Sequence, residues 1–144
     1  MELILNAIDY DENRPMDGFS SGGELYAVTD GFFPGEHWYD CVYLDLKTWL
    51  PNLISFGSNH TDACSLNFVD GPYSIRLKRL SEGAVHADFI REQTVQAVSE
   101  NIDLGMFFKS VLSCCRKYDR FLHENGKENL FQEEIKTLMK LLDT

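Results

Sequence analysis

Apolar and polar positions change their period several times along this chain, and each change marks an element. Glu2–Asp9 alternates loosely and is rich in Leu and Ile, which predicts an N-terminal strand. Tyr10–Gly23 is a loop by its Asp11, Glu12, Asn13, Pro15, Asp17, Gly18 and closing Ser-Ser-Gly-Gly run. Glu24–Asp30 reads as a second strand, and Gly31–Tyr39 as a connection through the Pro34–Gly35 turn signal. Asp40–Leu46 reads as a third strand, with Val42, Leu44 and Leu46 toward the core and Tyr43 and Asp45 between them. The period then becomes helical. Trp49, Leu50, Leu53 and Ile54, with Thr48 as N-cap, Pro51 in the first turn and Gly57 as C′ residue, predict a short helix over about 49–56.

The clearest two-residue periods follow. Cys64, Leu66 and Phe68 alternate with Ser65 and Asn67, and Tyr73, Ile75 and Leu77 alternate with Ser74, Arg76 and Lys78. Asp70–Gly71–Pro72 between them makes a hairpin turn. Ser81–Glu82–Gly83 leads into Ala84–Ile90, and a break at Arg91–Gln93 leads into Thr94–Ser99, so the four strands form an antiparallel meander. The last third is helical. Leu104, Phe107, Phe108, Val111, Leu112, Cys115, Tyr118 and Leu122 trace one broad stripe between an N-cap at Asp103 and a stop at Gly126. A final helix covers about Leu130–Leu142, with Asn129 and Gln132 as a capping box and Leu130, Ile135, Leu138, Met139 and Leu142 as its buried stripe. The expected fold is one α+β domain over 1–144. It has an antiparallel meander of about six to seven strands, one short helix, and two C-terminal amphipathic helices on one face.

Charge sharpens this picture. The net charge is −10, and all of it lies in the first half: residues 1–72 carry twelve acids against Arg14 and Lys47, whereas residues 73–144 carry eleven of each sign. Such asymmetry predicts an acidic face and argues against nucleic acid as a partner. No apolar run is long enough to span a membrane, and the N-terminus lacks the basic start of a signal peptide, so a cytoplasmic location is expected. Cys41, Cys64, Cys114 and Cys115 show no metal-knuckle spacing and read as core residues or free thiols.

Candidate chemistry is sparse. Asp9, Asp11 and Asn13 imitate the start of a calcium loop, but Arg14 stands where Gly is needed and Ser20 where Glu is needed. No phosphate loop, dinucleotide fingerprint or nucleophile elbow occurs. His37, His60, His86 and His123 form no ligand spacing, and no cofactor or metal is expected. A small hydrolase-like enzyme that pairs His37 or His86 with a Cys or a carboxylate is one alternative.

The stretch with the most character is Phe32–Leu46, FFPGEHWYDCVYLDL, aromatic and acidic without a single Lys or Arg. Aromatic side chains anchor interfaces, and carboxylates attract a basic partner. Glu36, Trp38, Tyr39 and Asp40, together with Asp11, Glu12 and Asp17 of the preceding loop, are therefore the expected partner-contact residues. The order of an N-terminal strand pair, FPGEHWYDCVYLDL, a Trp-Leu helix, the SLNFVDGPYSIRL hairpin, a further meander and a helix pair resembles the small immunity proteins of bacterial polymorphic-toxin and contact-dependent growth inhibition systems. That resemblance implies a non-enzymatic protein that binds a cognate toxin domain, often a basic nuclease, and blocks its active site or substrate path. It assigns no contact residue. A further alternative is an adaptor that holds a peptide on a sheet edge, which a long uncovered edge strand would favour.

Overall fold

A computed structural model describes residues 1–10, 21–99 and 101–143. The fold is α+β, with its strands divided between two antiparallel sheets rather than gathered in one. In the first sheet, β1 (Glu2–Tyr10) pairs with β2 (Ser21–Val28), and β2 also pairs with the two-residue strands β3 (Phe32–Phe33) and β4 (Tyr39–Asp40). Leu3, Leu5, Leu25 and Ala27 alternate into the core. Ser21–Gly23, expected in a loop, is the start of β2. The remainder of that expected loop, with Asp11, Glu12 and Asp17, lies outside the described residues.

The largest departure from expectation follows Asp40. Residues 42–46 are not a strand: α1 runs from Val42 to Gly57, with Cys41 at its N-cap. Val42, Leu46, Trp49, Leu50, Leu53 and Phe56 are all at most 1% exposed, and their spacing is that of one helix face. A two-residue period and a helical i, i+4 step both put Val42 and Leu46 on one side, and Leu44, which separates them, is only half-buried. Tyr43 and Asp45, which a strand would turn away from Val42, Leu44 and Leu46, are buried as well. Thr48 is no cap; its hydroxyl donates to the carbonyls of Leu44 at 3.0 Å and Asp45 at 3.1 Å. Pro51 lies on the exposed side of the helix interior. Gly57 is not the C′ residue: the helix stops at Asn59, whose φ is +61°, with the His60 N–H donating to the Ser55 carbonyl at 2.9 Å, and Gly57 serves packing instead, since a Cβ there would stand 2.4 Å from the Phe108 ring.

The second sheet is the expected meander. Its strands, in order, are β5 (Ala63–Asn67), β6 (Tyr73–Arg79), β7 (Val85–Arg91) and β8 (Thr94–Ser99). Cys64, Leu66, Ile75, Leu77, Ala87 and Phe89 form its inner face. Phe33 joins the sheets by packing on Phe68, Tyr73 and Phe89. α2 (Leu104–Glu124) begins as expected, with the Asp103 carboxylate accepting from the Met106 N–H at 3.0 Å. α3 (Gln132–Leu142) begins later than expected, with Phe131 at its N-cap and no side-chain cap. Asn129 and Gln132 form no capping box; Asp119 of α2 accepts from the Leu130 N–H, one residue before the N-cap, at 3.3 Å and holds the chain that enters α3. Leu130 and Met139 are exposed, so the buried stripe of α3 is narrower than the sequence suggests. α1 lies against β2, β5 and α3, while α2 lies along β1 and α3. The buried apolar side chains form one cluster. Among the described residues no helix is long and apolar enough to cross a membrane.

Candidate protein-binding face

The alternation of β2 makes the site. While Leu25 and Ala27 turn to the core, Glu24, Tyr26 and Val28 turn to the opposite face. The same rule splits the neighbours Tyr39 and Asp40. Tyr39 pairs with Glu24 and stays half-exposed, whereas Asp40 pairs with Gly23 and is fully buried. Tyr39 lies across Gly22, where a Cβ would come within 2.2 Å of its hydroxyl, and that hydroxyl donates to Asp9 Oδ1 at 2.5 Å. Phe32 is half-exposed and packs edge-on against Tyr26. His37, at φ +62°, sets Nδ1 3.1 Å from Glu24 and Nε2 3.5 Å from Glu36, with its ring edge-on to Tyr26. Asp9, Glu24, Phe32, Glu36, His37 and Tyr39 thus belong to one face. The described part of residues 1–46 contains no Lys or Arg, and Lys117 of α2 reaches Asn6, the cross-strand partner of Glu24, at 3.1 Å.

Two expected contact residues do other work. Trp38 is half-buried, packs on Tyr73, and donates from its indole N–H to Asp40 Oδ2 at 2.9 Å. Asp40 also accepts from the N–H of Cys41 at 2.8 Å and of Asp70 at 3.3 Å. It holds β4, the start of α1 and the β5–β6 turn together, and cannot meet a partner. Next to it, Asp45 Oδ1 accepts from the Val69 N–H at 3.0 Å. Burial, then the neighbouring Asp40 carboxyl, push the Asp45 carboxyl up to about 10. Asp45 is therefore held as a neutral acid, buried beside Asp40 under the turn that the two residues hold. Of the expected contact residues, Glu36 and Tyr39 sit on the open face, Trp38 and Asp40 lie beneath it, and Asp11, Glu12 and Asp17 lie outside the described residues.

The face also includes Asp9, Glu24, Phe32 and His37, which the sequence reading did not assign to it. The alternation in ELYAV carried a signal for Glu24, because Leu25 must point inward. The cross-strand register that brings Asp9 to Gly22 and Tyr39 carried none.

Nucleophilic chemistry finds little support in the thiols. Burial pushes Cys41 up, Cys64 to about 11 and Cys114 to about 12, and it raises Cys115 further. A thiol held protonated is a poor nucleophile. His60 and His123 are exposed, and His86 lies 3.3 Å from Asp88, which Lys78 also pairs at 2.8 Å. Among the described residues no group of three or more His, Cys, Asp or Glu is arranged to hold a metal ion. No family model, curated protein or solved structure matches this chain.

Proposed function

We propose that this protein is a non-enzymatic inhibitor that captures a basic protein domain on the open face of its first sheet, as the resemblance to immunity proteins implies. The partner is a cognate toxin domain, and capture covers its active site or substrate path. One observation carries this reading: Asp9, Glu24 and Glu36 share a face with the half-exposed Phe32 and Tyr39, and the described part of residues 1–46 that builds it has no Lys or Arg. The carboxylates steer a basic surface toward the face and raise its encounter rate. The two aromatic rings supply contact area, and the hydrogen bond from Tyr39 to Asp9 fixes its ring before binding, which lowers the ordering cost.

The test is kinetic. A basic toxin domain from the same organism is immobilised, and association is followed against salt. The triple variant Asp9→Asn, Glu24→Gln, Glu36→Gln is expected to associate about tenfold more slowly at low salt, with little change in dissociation. An association rate equal to that of the unaltered protein removes this face from the function.

A further inference from the structure

The alternation that sends Cys64, Leu66, Ile75 and Leu77 into the core turns Ser65, Ser74 and Arg76 to the outer face of the second sheet. Arg76 stands opposite Ser65 on one neighbouring strand and Asp88 on the other. Asp88 is the acid placed to pair with it, but both carboxylate oxygens are taken: Lys78 reaches Oδ2 at 2.8 Å, and His86 lies 3.3 Å from Oδ1. Arg76 is exposed, and among the described residues its guanidinium makes no hydrogen bond or ion pair. β6 carries Arg76, Lys78 and Arg79 and no acid, within a chain of net charge −10.

Two hollows meet at this side chain. The first, of about 410 Å³, is lined by Arg76 and Ser65, by Asn52 and Ser55 of α1, and by Thr61 of the loop after it. No carboxylate lines it, and among the described residues the hydroxyls of Ser55, Thr61 and Ser65 make no hydrogen bond. The negative pole of α1 ends nearby, but its carbonyls are occupied: Ile54 accepts from Ser58, Ser55 from His60, and Phe56 from Asn59 and from the Arg79 guanidinium at 2.8 Å. The second hollow, of about 520 Å³, continues from Ser65 and Arg76 past Asn67 and Ser74 to Pro72 and Ile90, and Glu92 forms part of its wall.

We infer that this groove binds a small organic phosphate monoester, with the phosphate in the first hollow and an apolar ring in the second. This goes beyond the reading of the protein as an inhibitor and uses none of the residues of the acidic face. A phosphate monoester presents three strong acceptor oxygens. The free guanidinium takes two of them in its planar fork, and the unoccupied hydroxyls of Ser55, Thr61 and Ser65 donate to what remains. A carboxylate offers only two oxygens, which the fork alone engages. Glu92 repels the phosphate from the second hollow, where Pro72 and Ile90 supply apolar contact. The two hollows therefore orient the ligand as well as hold it.

The experiment is an NMR titration of the whole protein with phenyl phosphate, with inorganic phosphate, benzoate and phenol as controls. Phenyl phosphate is expected to bind with a dissociation constant on the order of 1 mM, ordinary for so small a ligand, and to shift the amides of Ser65, Ser74, Arg76 and Ile90. Each control is expected to bind about fivefold more weakly or worse. Arg76→Gln is expected to weaken phenyl phosphate about tenfold, and Arg76→Lys, which keeps the charge and loses the fork, by less. Arg76 is exposed, so an otherwise unchanged amide spectrum shows that both variants fold. Equal binding by inorganic phosphate or by benzoate overturns the assignment of ligand. Unchanged binding by Arg76→Gln, or shifts centred on the cations of α2 in place of β5 and β6, overturns the site. No basic domain enters the titration, and the triple carboxylate variant is expected to bind phenyl phosphate as the unaltered protein does, so this inference and the acidic-face reading fail separately.

Discussion

Gly22 and Tyr39 show how a single missing methyl group shapes the binding face. The Tyr39 ring occupies the space where a Cβ on Gly22 would sit, and its hydroxyl reaches Asp9 from there. Gly22→Ala is expected to push this ring aside and break the bond to Asp9. Because the ring end can swing away, the cost in stability is only about 1 kcal/mol, but partner association is expected to weaken with it. Chemical denaturation and binding kinetics on the same variant separate the two effects. Asp45 makes a different prediction. It keeps its proton when folded and releases it when unfolded above about pH 4. Unfolding therefore releases a proton between about pH 4 and the folded value of about 10, and stability falls as pH rises through that window, by at most about 1.4 kcal/mol per unit. Asp45→Asn keeps the bond to Val69 and cannot ionise. Its advantage over the unaltered protein is expected to be small near pH 4 and to grow toward pH 9, as urea unfolding at several pH values would show. The sequence places Asp40 and Asp45 among aromatic residues but says nothing of which acid is buried, because that depends on where β4 ends and α1 begins.

At the scale of elements, the second sheet was legible because β5 and β6 alternate strictly and two of its three turns carry Gly or Pro. Its four strands stand close to their expected bounds. The segment after Asp40 was not legible, since Val42 and Leu46 satisfy both periods, and only the packing of Trp49, Leu53 and Phe56 on one continuous face decides for a helix. The start of α3 was misread because the bond that fixes the chain ahead of it, from Leu130 to Asp119, is made to a residue distant in sequence. The β7–β8 turn carries its own cost. Glu92 and Gln93 both have positive φ, at 50° and 66°, a geometry that favours Gly or Asn. Gln93→Gly is expected to stabilise the protein by about 1 kcal/mol, measurable as a raised denaturation midpoint with an unchanged slope. A fall in stability would show that Gln93 makes a contact that offsets its backbone strain.

Across the whole molecule, the α+β class and the acidic first half were both readable from the sequence. The division into two sheets was not. It rests on Phe33 inserting between them and on α1 lying against strands of both, contacts that no local pattern announces. The acidic face was partly readable: Glu36 and Tyr39 lie on it, while the register of β1, β2 and β4 adds Asp9 and Glu24.

The bonds that α2 makes to β1 also set a schedule for synthesis. Leu3 meets its partner Ser110 across 107 positions of chain, and Leu5 meets Lys117 across 112. At about 5–20 residues per second, the first strand emerges from the ribosome on the order of ten seconds before the helix that completes its edge. During that interval the nascent chain carries an apolar, half-finished sheet, while the later meander can close from neighbouring residues alone. A chain released after about residue 103 is expected to bind an apolar dye and to self-associate, and the full chain is not. Dye binding and light scattering on the two would show whether α2 is the step that ends this exposure.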